Sequence, residues 1–145
     1  MQILQRIADA WGWRGVRPRA LVMQNEFGNV IFADDEGQYW RICPEELSCE
    51  VIAADRDDFA RLQNSSEFAE DWAMSALTEE ARGVLGVPPA ARCYCLKIPA
   101  TVGGAYAADN IGTIDRGELI SFAGDMAKQI DGLPDGAEIE LKVLT

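Results

Sequence analysis

The sequence predicts an α+β domain: one domain over residues 1–145, a mainly antiparallel sheet of about five strands, and three to four helices packed on it. Three observations predict this. Strand-like and helix-like stretches are mixed without a regular β–α–β rhythm. The first third carries two hairpin signals in succession, and the remainder carries two long stretches with apolar residues at helical spacing. The chain has 145 residues, 48% hydrophobic and 26% charged, which is ordinary globular composition and enough for one core.

The elements follow in order. Residues 2–12 read as an amphipathic helix, with Ile3, Leu4, Ile7, Ala8 and Trp11 on one side and Gly12 at its end. ALVMQ (20–24) is an apolar strand, NEFGN (25–29) a turn-rich break, and VIFA (30–33) a second strand. DDEG (34–37) makes a tight turn, with Gly37 free to take positive φ, and QYWRIC (38–43) pairs back. Pro44 opens a short PEEL turn, and CEVIAA (49–54) is a further strand. Asp55 to Gln63 reads as a helix with Phe59 and Leu62 inward. Ser65 or Ser66 then caps a helical run to Leu85, with Phe68, Trp72, Ala76 and Leu77 apolar. Gly86, Pro88 and Pro89 break it, and RCYCLKIP (92–99) is a strand. After the loop at 102–110, Asp115 and Glu118 suit a capping box for a helix carrying Leu119, Ile120, Ala123, Met126, Ala127 and Ile130. LPDG (133–136) is a turn, and EIELKV (138–143) alternates as a final strand.

Composition narrows the function. The chain has 24 acidic and 13 basic side chains, no histidine, and a formal charge of −11. Both halves are net acidic, so the excess is a surface property and not a tail. Such a surface repels nucleic acid and anionic lipid and attracts basic proteins. Without imidazole, Ser–His and Cys–His catalysis and the HExxH metal motif are impossible. These points argue for a binding protein, with no catalytic residues, no metal and no cofactor. No secretory signal or membrane-spanning run is predicted, and the expected compartment is the cytoplasm. The four cysteines, Cys43, Cys49, Cys93 and Cys95, lack zinc-knuckle spacing and read as buried reduced thiols.

The candidate partner-binding residues are the acidic turn Asp34, Asp35 and Glu36, the neighbouring Tyr39, and the cluster Asp55, Asp57 and Asp58. Three carboxylates on a hairpin tip suit a cationic surface, although a solvated turn explains them, and a helix cap the 55–58 cluster, more readily. Trp13 and Tyr39 lie near turn signals, where an exposed aromatic could anchor an interface. The acids at Glu67, Glu70, Asp71, Glu79 and Glu80 read as a solvated helix face. Gly103-Gly104 lacks phosphate-loop spacing and suits close backbone packing.

Four segments together carry a resemblance: NEFGNVIFADDEGQYWRICPEEL (25–47), FAEDWAM (68–74), RCYCLKIPATVGGAYAADN (92–110) and GELISFAGDMAKQIDGLPDG (117–136). Their most telling signatures are Gly103, Gly104, Tyr106 and Asn110, then Gly124-Asp125, Gln129-Ile130 and Leu133-Pro134-Asp135-Gly136. In order and spacing the chain resembles the C-terminal domain family of type VI secretion immunity proteins that protect against DNase effectors. The resemblance implies a cytoplasmic antitoxin that binds a cognate, basic, nuclease-type toxin and blocks its substrate site. It supplies no site residues of its own. The alternative is a small-molecule or peptide-binding regulatory module built on the 25–43 hairpins and the 102–110 loop.

Overall fold

The computed structural model describes residues 3–133. The strand expected at 138–143 and the signature residues Pro134, Asp135 and Gly136 lie outside the described residues.

Helix α1 (Ile3–Trp11) leads into the antiparallel meander β1 (Pro18–Gln24), β2 (Val30–Asp34), β3 (Tyr39–Cys43) and β4 (Ser48–Ala53), in that spatial order. Three helices follow: α2 (Arg56–Gln63), α3 (Ser66–Ala73) and α4 (Ser75–Leu85). A separate two-stranded sheet pairs β5 (Arg92–Leu96) with β6 (Ile111–Asp115), and α5 (Arg116–Ile130) closes the described chain. The α+β class and the antiparallel pairing agree with the sequence reading, but the strands divide into four and two. β6 escaped that reading: it is five residues long, contains Gly112, and is defined mainly by its pairing with β5.

At β2 the meander is buried on both faces. Strand residues alternate between faces, so β2 sends Val30 and Phe32 one way and Ile31 the other. Val30 and Phe32 join Ile42, Cys49 and the helices α1 and α5. Ile31 joins Tyr39, Ala53, Phe59, Phe68 and Trp72 under α2 and α3. The sheet is therefore a middle layer between two pairs of helices. A third cluster, of Phe27, Tyr94, Leu96 and Ile111, packs α4 on the small sheet. The first strand is an outer edge, with Leu21 and Val22 exposed. Two register irregularities in its pairing with β2, and Arg17 and Arg19 beside them, disfavour adventitious edge pairing.

Local chemistry fixes the element ends. Asn25 Oδ1 accepts the backbone N–H groups of Phe27 and Asn29 at 3.0 and 2.9 Å, which holds the NEFGN turn around Gly28 (φ +71°). Asp55 caps α2 by accepting Asp58 N–H, Ser65 caps α3 by accepting Phe68 N–H, and Asp115 caps α5 by accepting Glu118 N–H. The helix expected from Ser65 to Leu85 is broken at Met74, whose left-handed backbone (φ +47°, ψ +41°) ends α3 and starts α4. No glycine or proline announces this break. A non-glycine residue in that region is uncommon and costs energy that surrounding contacts must offset.

Candidate functional site

The structure draws the predicted acids to one end of the sheet. Tyr39 pairs with Ala53, so the 34–37 turn and the start of α2 lie side by side. Within this group the acids differ. Asp34 is buried, and its Oδ1 accepts Glu36 and Gln38 N–H at 2.9 Å while its Oδ2 accepts Trp40 Nε1–H at 2.8 Å. Burial pulls its pKa up, but the Trp40 indole and the backbone N–H groups outweigh that and hold it below the usual carboxylate value. Asp34 is thus the keystone of its turn and offers no free carboxylate; Asp35 and Glu36 do. Asp55 is occupied as the α2 cap, and Asp58 accepts Ala54 N–H at 2.9 Å and pairs with Arg61 at 3.5 Å. Asp57 is exposed. Tyr39 is half-buried and stacks on Phe59 at 4.4 Å, and Trp13 stacks on Trp11 at 6.0 Å, so neither is the exposed anchor expected.

A second acidic region was not singled out by the sequence. It is a groove formed by two cavities that share Met74 and Tyr106. The first, of about 410 Å³, lies between β3–β4 and α3 and includes Arg41, Cys43, Glu45, Glu46, Glu50, Ile52 and Asp71. The second, of about 570 Å³, runs along α4 past Glu70, Ala76, Leu77 and Glu80. Among the described residues the groove therefore presents six carboxylates and one guanidinium around an apolar floor.

The fold builds this groove from polar groups anchored beneath it. Glu45 is only 5% exposed, and both its oxygens accept Asn29 Nδ2–H, at 3.1 and 3.0 Å. Asn29 Oδ1 in turn accepts Arg41 Nε–H at 3.0 Å. Arg41 reaches Asp71 at 2.5 Å and lies over the Trp72 ring at 5.1 Å. The chain Glu45–Asn29–Arg41–Asp71 ties the sheet to α3. Glu45 has no cation within ion-pairing distance among the described residues; its donor is a neutral amide. At the opposite lip, Tyr106 is 47% exposed, and its hydroxyl donates to Glu46 Oε1 at 3.2 Å. Desolvation, then the negative charges of Glu46 and Glu45, push the Tyr106 phenol well above its ordinary pKa.

The glycine and asparagine signatures position Tyr106. Asn110 donates Nδ2–H to the carbonyls of Ile98 and Ala105, both at 2.9 Å, and accepts Ile98 N–H at 3.0 Å. Gly104 lies so close to this staple that a Cβ would stand 1.7 Å from the Ile98 carbonyl oxygen. Gly103 takes φ +102°. These residues act on the loop that carries Tyr106.

The four cysteines are free thiols. Burial pushes Cys49 and Cys93 up to about 12, and raises Cys43 further. Among the described residues, no three His, Cys, Asp or Glu side chains are arranged to hold a metal ion.

Fold and groove together define an antiparallel α+β domain with an acidic, apolar-floored cleft. The sequence profile described as "T6SS immunity protein Tdi1, C-terminal" matches residues 53–127, and the chain belongs to that family of type VI secretion immunity proteins. The matched segment holds α2 to most of α5, and with them Asp71, Met74, Glu80 and Tyr106 of the groove. No curated protein matches the chain. Among solved structures, "Crystal structure of Atu4351 from Agrobacterium tumefaciens" aligns with a TM-score of 0.57 at 14% identity, over 85% of this chain and 62% of that one. This chain spans less than two thirds of that protein's length. At such identity the likeness is one of fold alone. Among the described residues, no helix is long and apolar enough to cross a membrane.

Proposed function

We propose that this domain binds a cognate nuclease-type toxin in the cytoplasm and neutralises it by covering the toxin's basic substrate surface, with no catalysis of its own. Membership of the immunity family, through residues 53–127, is the observation that carries this reading. The physics agrees with it. A nuclease presents positive potential to its phosphate substrate, and a partner of charge −11 is drawn to that surface over long range. Competing with DNA calls for nanomolar or tighter affinity, about −12 kcal/mol. That affinity is typical of an interface near 1,600 Å² with a few buried anchors. The small-molecule alternative finds little support in a cleft ringed by six carboxylates.

Co-purification tests the proposal. The tagged chain should retain a basic toxin from its native host, and the complex should lose nuclease activity in proportion to bound chain. Association should slow as salt rises from about 50 to 500 mM, because steering between exposed charges is screened. A toxin that cleaves DNA at full rate while saturated with this chain would overturn it.

A further inference from the structure

Two acidic regions compete for the partner: the hairpin end of the sheet and the groove at Met74 and Tyr106. We infer that the groove is the docking site, and that its occupant is a toxin segment in which arginine side chains flank an apolar residue. This rests on the immunity reading above and names the contact within it.

Charge and shape select the occupant together. The six carboxylates repel phosphate, so a nucleic acid does not fit. The described acids do not converge as a metal cage, so a bare divalent ion does not fit either. The floor of Met74 and Leu77 takes apolar surface, which a purely polar cation would leave unused. A protein segment with both features matches both. Glu45 strengthens the case: it is buried, lines the first cavity, and among the described residues its partners are the neutral Asn29 amide and the Cys43 thiol, with no cation in ion-pairing distance, so an incoming guanidinium supplies the opposite charge. The groove already shows how it holds such a group. Its own Arg41 sits between the Asp71 carboxylate and the Trp72 ring face. Tyr106 and Glu46 offer a second aromatic and carboxylate at the other lip. By contrast, the hairpin end has Asp34 and Asp55 consumed by their own turn and cap, and Tyr39 half-buried on Phe59.

The methionine methyl groups give a direct readout. Met74 sits in the groove, whereas Met23 packs under α2 and Met126, on α5, packs against the core of α1 and the sheet. A nine-residue amidated peptide alternating arginine and leucine is titrated into the chain carrying ¹³C-methyl methionine. Met74 should shift to saturation, with Met23 and Met126 unmoved, and a peptide with serine for leucine should bind at least ~10-fold more weakly. Glu50→Lys with Glu70→Lys should abolish the Met74 shift, while Asp35→Lys with Glu36→Lys should preserve it. Unchanged Met23 and Met126 signals report that each variant is folded. The same pairs are then tested on the captured toxin, where the groove pair should weaken binding at least ~100-fold and the hairpin pair less than ~5-fold. A silent Met74, or a toxin affinity that falls only with the hairpin pair, overturns the groove assignment and leaves the immunity reading intact. Failure of the unaltered chain to hold any toxin removes the immunity reading, and the peptide titration, which needs no toxin, reads separately from it.

Discussion

Asn29 stands between Glu45 and Arg41, giving its amide N–H to both Glu45 oxygens and its carbonyl oxygen to Arg41 Nε. One neutral side chain thereby holds a buried carboxylate and relays it to an arginine. Asn29 is fully buried in a loop ended by the Asn25 turn, so nothing can replace it without water or rearrangement. Asn29→Ala leaves Glu45 without its donor and should lower stability by about 2–3 kcal/mol. Asn29→Asp, which sets a second carboxylate against the first, should cost more than Asn29→Ala. Urea unfolding of the three proteins, with unchanged slope, checks both the size and the order.

Two glycines make a harder steric case. At Gly124 a Cβ would stand 2.5 Å from the Ala10 carbonyl oxygen and 2.8 Å from its Cβ, where α1 and α5 run side by side in one direction. The obstacle is backbone, so the helices must move apart. Gly124→Ala should destabilise by about 2–3 kcal/mol. Gly104→Ala meets the Ile98 carbonyl and breaks the Asn110 staple, at about 3 kcal/mol or more. Gly103→Ala finds open space and pays only for its positive φ, roughly 1–2 kcal/mol. Thermal unfolding should rank Gly103→Ala mildest; a reversed order would mean the loop does not close as described.

The thiols make a chemical prediction. Burial keeps Cys43, Cys49, Cys93 and Cys95 protonated at neutral pH. The folded protein at pH 8 should therefore react with iodoacetamide at well under one thiol per chain within an hour. All four should react once urea unfolds it, as mass spectrometry will count.

Much of this architecture was legible because local signals were strong. The turns at 25–29 and 34–37, the caps at Asp55, Ser65 and Asp115, and the apolar periodicity of α5 each follow from short-range chemistry. The groove was not legible. Glu45 and Glu46 read as the first turn of a short PEEL helix, and only tertiary packing buries one and leaves the other on the lip. Met74 looks like any helix residue, and the contacts at its left-handed turn come from remote Asn25, whose Nδ2–H reaches the Trp72 carbonyl at 3.0 Å and Met74 Sδ at 3.7 Å. Glu70, Asp71 and Glu80 were correctly acidic and exposed, but their shared opening with residues 41–52 arises from contacts remote in sequence. A signal existed in one place. ICPEEL sets two acids inside an apolar, proline-started run, which is an uncommon setting for a solvated carboxylate.

Asp34 supplies a pH test of the hairpin. Its folded pKa lies below the model-peptide value because three backbone N–H groups and the Trp40 indole favour the charged form more than burial disfavours it. A depressed folded pKa means the unfolded chain binds the proton first as acid is added. The stabilisation is then fully present above the unfolded value of about 3.9 and drains away as pH falls through it toward the folded pKa. Asp34→Asn keeps the shape but gives up the charge-assisted bonds, and should cost about 1–2 kcal/mol at pH 7. The cost should shrink as pH falls below about 4, where the aspartate of the unfolded chain takes up its proton before that of the folded one, and the two proteins converge as pH nears the folded pKa. Urea midpoints of both proteins, measured from pH 7 down to pH 3, trace that convergence. A gap that stays constant over the whole range would show that the Asp34 charge plays no part in holding the turn.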